Sequence, residues 1–360
     1  MLVTRNRSML APLTTGLVCS LLISFAASAG IVVPANDDRA MPASLPQDII
    51  SSRSAITSIQ KGKIEAYVDQ LTGILVESDS DSPDVTKARD LLIQSTRLAG
   101  VTPVFLRTYS DIVIEKVQPL VFGDDSIKSE NALRVVAFLQ TPQALGLLVE
   151  TLDTGRNKDA SRRLVAAGLL PVAIAPGAKS NLDSASLANS ARNIALNVRS
   201  ETDWVVVLEE LRALNRIALN PILADQNRAE IRTIQFETYK SIADRIANSA
   251  TPSDMIFAIH RAMLSLRTQL ISNSTASDFD VARASTLLEG ILEEIAKGSV
   301  KQWSELEKEP RYQKAYEASL KIGTQLLSLL KSSSAPAFAK LNAAFANGPE
   351  ALQTAISKLP

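Results

Sequence analysis

Residues 129–170 constrain the fold more than any other part of the chain. From Ser129 to Leu139 apolar residues recur at helical spacing, through Ala132-Leu133 and Ala137-Phe138-Leu139. Thr141-Pro142 breaks the run, and Leu145, Leu148 and Leu152 then mark a second helix at i, i+3 and i+7. After a short polar loop, Asp159 opens a third apolar stretch that reaches Leu170. Each such helix has one apolar stripe to hide. Short links force consecutive helices to lie antiparallel, and a hairpin alone leaves apolar surface uncovered. Stacking hairpins covers it. The stretch predicts an all-α fold of antiparallel helical hairpins stacked as an irregular α-solenoid, with an irregular helical bundle as the alternative.

The punctuation elsewhere agrees. Ser82-Pro83, Thr102-Pro103, Thr141-Pro142 and Thr251-Pro252 each set a hydroxyl before a proline. A hydroxyl caps the first free N–H groups, and proline at the first helical position lacks an N–H that would be unpaired anyway. Gly348-Pro349 separates two further helices, and Ala175 to Leu182 is the longest internal loop. Trp204-Val-Val-Val-Leu208 could be a buried strand, but Glu201-Thr202-Asp203 before it and Glu209-Glu210 after it favour one helix over 203–217. Only 14 of 360 residues are glycine, which suits helices better than a turn-rich sheet fold.

Residues 1–29 read as a secretory signal peptide. Arg5 and Arg7 precede the apolar run Leu17 to Phe25, and Ala27-Ser28-Ala29 offers a cleavage site before Gly30. Residues 30–46, with three prolines, read as an extended linker, and 47–360 as one all-helical domain. The expected location is the periplasm or the extracellular side of a bacterial envelope, with no transmembrane segment once the leader is cleaved. The single cysteine, Cys19, falls in that leader, so packing alone must hold the mature chain. Removing two arginines from 38 basic residues leaves 36 against 38 acids, a net of −2. With no basic stripe visible along the sequence, nucleic acid is not an expected partner.

At Ser129 to Leu170 the chain resembles HEAT-like helical repeats. The resemblance rests on Ala132-Leu133-Arg134, Ala137-Phe138-Leu139, the turn at 141–144, and Leu147-Leu148 with Leu152. It restarts at Asp159, Arg163 and Ala166-Ala167. Arg134 to Arg163 spans 29 residues and Leu139 to Leu170 spans 31, about one repeat. It covers about one and a half repeats, and residues 82–109 echo it weakly. The resemblance implies an extended binding surface rather than a catalytic pocket.

No residue pattern predicts a catalytic, cofactor or metal site. His260 is the only histidine and shares a face with Ile256, Phe257, Met263 and Leu264, where packing explains it. The carboxylate pairs Glu209-Glu210, Glu293-Glu294 and Asp124-Asp125 point about 100° apart on a helix, so each reads as a solvated face. Asp79-Ser80-Asp81-Ser82 lacks the glycine and distal glutamate of a calcium loop. Trp303, Tyr312 and Tyr316 cluster in sequence among charged residues and are the candidate partner contacts; sealing the end of the helical stack is their other reading.

The sequence therefore favours an exported, non-catalytic binding or scaffold protein that presents a helical surface to a protein or peptide, with no small-molecule cofactor. A helical hydrolase with an unrecognised carboxylate site is one alternative. Its disadvantage is the 4% aromatic content, because sugar-binding clefts are rich in rings. A purely structural envelope protein is the other.

Overall fold

Sixteen helices and no strand occur among the described residues of the computed structural model, which are 41–77, 79, 82–177, 180–272, 280–330 and 332–360. The expected leader, Cys19, residues 30–40 of the expected linker and Asn273-Ser274-Thr275 lie outside them. The helices are α1 (Gln47–Ile50), α2 (Ser58–Glu77), α3 (Pro83–Ser95), α4 (Pro103–Val121), α5 (Ser126–Leu139), α6 (Pro142–Thr151), α7 (Ala160–Ala173) and α8 (Ser184–Ser200). They continue as α9 (Trp204–Ala218), α10 (Asp225–Asn248), α11 (Met255–Ser272), α12 (Val281–Lys301), α13 (Trp303–Leu306), α14 (Pro310–Leu329), α15 (Ala335–Ala346) and α16 (Pro349–Ile356). None is long and apolar enough to cross a membrane.

Local chemistry explains where the helices start. The hydroxyls of Ser82, Thr102 and Thr141 accept from the backbone N–H groups of Asp84, Phe105 and Ala144, with proline next in each case. Asp125, Asp159, Asp203 and Asp280 do the same work for α5, α7, α9 and α12. Thr251 does not cap a helix, contrary to expectation. The Ser253 hydroxyl takes the Met255 N–H at 3.3 Å, so α11 starts three residues after Pro252. Gly348, at φ +100°, turns the chain into α16, a conformation glycine adopts without steric cost.

Contacts sort the longer helices into two rows. α2, α4, α6, α8, α10, α12 and α16 each pack on the next of that series. So do α3, α5, α7, α9, α11 and α14. Most chain neighbours also touch across the rows, as α4 does α5 and α8 does α9. The core lies between the rows, where the predicted stripe Leu145, Leu148, Leu152 is buried with Leu133, Ala166 and Leu170. Close approach has a local cause at α10 and α12, where a Cβ on Gly298 would stand 3.1 Å from the Ala247 Cα.

The two expected repeat marks Arg134 and Arg163 are not equivalent. Arg134 is exposed beside Glu130, whereas Arg163 is buried. The helix caps Asp125 and Asp159 correspond instead, which aligns Arg163 with Ser129; that serine is also buried and donates to the Val121 carbonyl at 2.8 Å.

Candidate functional site

Three helices of the α3 row bring aromatic rings to one edge. Trp204 is the first residue of α9, and Phe257 and Tyr312 lie in the first turns of α11 and α14. The Trp204 and Phe257 ring centroids are 5.7 Å apart, and Phe257 stacks on Tyr312 at 5.4 Å with 30° between the planes. The Arg261 guanidinium sits 5.5 Å from the Trp204 ring centre, and that of Arg311 sits 4.6 Å from Tyr312. The Tyr312 hydroxyl donates to Asp254 at 2.8 Å and accepts from Arg311 at 3.0 Å. These bonds fix the last ring and tie Arg311 to it. Farther along the row Arg97 lies over Phe138 at 4.2 Å, beside a cavity of about 530 Å³ that also includes Gln140 and Val172.

A buried ionic cluster sets the start of this strip. Arg163 of α7 and Glu201 in the α8–α9 turn are almost sealed from solvent, at 6% and 0% exposed. They form a two-pronged pair, with Nε to Oε2 at 2.5 Å and Nη2 to Oε1 at 3.0 Å. Glu201 Oε1 also accepts the Thr202 and Asp203 backbone N–H groups at 2.7 and 2.8 Å. Arg245 of α10 donates to the carbonyls of Val198 and Glu201 at 2.9 and 2.5 Å. The turn that delivers Asp203 as a cap, and Trp204 behind it, is thus held by α7 and α10. Burial alone would raise the Glu201 pKa, but the bonds from Arg163, Asp203 and Thr202 outweigh it and hold the carboxyl below its ordinary value.

Glu210 corrects the reading of Glu209-Glu210 as a solvated pair. Glu209 is half-exposed and bonds Arg212, but Glu210 is 0% exposed and neither of its oxygens has a hydrogen-bond partner among the described residues. Burial first, and the Glu201 charge second, push its pKa well above the ordinary value, against the pull of Arg163 and Arg245. The folded state therefore binds a proton that the unfolded chain has released. Stability from this group is complete below about pH 4.5 and falls as pH rises through the folded pKa, at ~1.4 kcal/mol per pH unit at most. Glu210→Met is expected to remove that falling component and to raise stability near pH 8; denaturant midpoints across pH 4–8 check it. A variant whose pH slope matches the parent would show that Glu210 is ionised in the fold. Solvent does not reach Glu201 or Glu210, so neither meets a substrate in this conformation.

The three rings expected to meet a partner separate in the structure. Tyr312 joins the strip but is itself 6% exposed, so Trp204 and Phe257 supply the half-buried ring surface. Trp303 is half-buried, donates to Glu307 at 2.9 Å and stands edge-on to Phe345 at 5.0 Å. Tyr316 presents no surface to a partner: it is 0% exposed and donates to Gln302 at 2.6 Å, which in turn ties to the carbonyls of Ile246 and Ser249. Sequence reading missed Trp204 and Phe257 because the strip forms only when α9, α11 and α14 pack. The available signal was an aromatic residue in the first turn of each helix. His260 is half-buried, and its pKa is lowered by burial and then by Arg261. Among the described residues no group of three or more His, Cys, Asp or Glu side chains is placed to hold a metal ion. No family model matches the chain, and no curated protein matches its sequence.

Proposed function

We propose that the protein is an exported, non-catalytic scaffold of the cell envelope, built as a HEAT-like α-solenoid, that binds a protein or peptide along its α3 row. The observation that carries this reading is the Trp204–Phe257–Tyr312 strip with its two stacked arginines. Rings and arginines are enriched among the side chains that anchor interfaces, rings because they cover large areas at low entropy cost and arginine because its fork matches carboxylates. Rows of helices that each pack on the next support the solenoid part of the reading. A photoreactive residue in place of Leu264, exposed on α11, tests the function against one in place of Leu196, exposed on α8 of the other row. Crosslinks to a discrete envelope protein from position 264 but not from 196 are expected. Absence of any crosslinked partner at both positions would overturn the binding reading.

A further inference from the structure

The fold sorts charge in a way the sequence conceals. Helices α3, α5, α7, α9, α11 and α14 carry thirteen lysines and arginines but six aspartates and glutamates. Helices α2, α4, α6, α8, α10, α12 and α16 carry thirteen against fourteen. α7 and α11 hold four arginines and no acid, of which Arg261 is exposed and Arg163 is neutralised in the core by Glu201. The excess is spread over consecutive helices of one row and is not apparent along the sequence.

Pairing differs in reach: in the α3 row Arg89, Arg134, Arg212 and Arg311 pair with acids close by in sequence. In the α2 row, cations bridge one helix to the next. Lys116 of α4 meets Asp69 of α2 at 2.8 Å, Arg192 of α8 clasps Glu230 of α10 at 2.9 and 2.8 Å, and Arg283 of α12 reaches Glu237 of α10 at 2.5 Å. Lys63, Arg107 and Arg199 of the same row are exposed and form no ion pair among the described residues. In the α3 row Arg216, Arg261, Lys314 and Lys321 are exposed and form no ion pair among the described residues. Arg212 and Arg216 border a cavity of about 300 Å³ between α9 and α11, with the hydrogen-bonding side chains of Ser265 and Gln269 on its lining. Arg216 is twelve residues from Trp204 on α9, about 18 Å along the helix, so the cavity lies toward the other end of α9 from the ring strip.

We infer that the α3 row is a docking surface for an acidic protein segment, which crosses α9, α11 and α14 with carboxylates toward Arg212, Arg216, Arg261 and Lys314. This deepens the proposed function and rests on it. A guanidinium stacked on a ring keeps its N–H edge free, and that edge matches a carboxylate in two-pronged geometry. The aromatic strip supplies apolar contact that a purely electrostatic surface lacks. The apolar component selects a peptide over a bare polyanion.

The test is fluorescence anisotropy of the full-length protein with a labelled peptide rich in glutamate, aspartate and phenylalanine. Inorganic polyphosphate and vesicles of anionic lipid serve as competitors. At about 50 mM salt, where the screening length exceeds ~10 Å, the peptide is expected to bind, and binding should weaken as salt rises. Arg216→Glu, Arg261→Glu and Lys314→Glu should each weaken it by about tenfold, because like charges then face each other. Lys63→Glu on α2 and Arg199→Glu on α8, also exposed, should leave it within about twofold; circular dichroism confirms that all five variants fold. No binding at low salt, equal losses from reversals on both rows, or displacement by polyphosphate or vesicles at charge-equivalent concentration would each overturn the inference. A crosslinked partner whose contact segment is not acidic would also overturn it while leaving the binding function standing.

Discussion

Glu201→Ala is expected to cost about 3–5 kcal/mol of folding stability, the largest effect of any single change considered. The substitution leaves the Arg163 guanidinium in a site 6% exposed with its counter-charge gone. It also strips the acceptor from the backbone N–H groups of Thr202 and Asp203. A buried charge without a partner is much worse than no charge, because its lost hydration is not replaced. The double change Arg163→Met with Glu201→Met should therefore be milder than Glu201→Ala alone, since no ion remains stranded. The pair has a pH signature of the opposite sign to that of Glu210. With its folded pKa lowered, Glu201 contributes stability that is present above about pH 4.5 and lost as pH falls through the folded value. Chemical denaturation of the three proteins at neutral and acid pH measures all of this. A Glu201→Ala protein as stable as the parent would mean that the turn before Trp204 is not held as described.

Leu148→Ala is expected to cost about 2–5 kcal/mol, by lost transfer energy plus the cavity left behind. Leu148 is 0% exposed in α6, a ten-residue helix that packs on α4, α5, α7 and α8. Four rigid neighbours leave little room to collapse into the gap, which favours the upper part of the range. Thr141 is the cap of the same helix and bonds the Ser110 hydroxyl at 2.7 Å, so this hairpin is tied by polar as well as apolar contact. Thermal melting with a matched denaturant series gives the loss directly. A neutral result would mean that α6 does not bury this face.

The helices and their apolar stripes were legible because they depend on neighbours within a few residues. Thr141-Pro142 and Asp203 reveal helix starts, and Leu145, Leu148 and Leu152 reveal the buried side, without any knowledge of the fold. Features that depend on stacking were not legible. Arg163 and Glu201 are 38 residues apart and meet only when α7 packs beside the α8–α9 turn. Glu210 looked like its neighbour Glu209, yet a 100° step around α9 takes one to solvent and the other into the core. Pro119 and Pro171 lie inside α4 and α7, where a proline would ordinarily signal a helix boundary; each sits two residues before the last helical residue, so the helix continues only briefly beyond it. The ring strip and the basic row depend on the order in which helices stack.

Hydrogen exchange of the full-length protein with and without its crosslink-identified partner tests the central claim, that the α3 row is the working face. The account predicts added protection in the first turns of α9, α11 and α14, around Trp204, Phe257 and Tyr312, with α8, α10 and α12 unchanged. Protection confined to α8, α10 and α12 would contradict it.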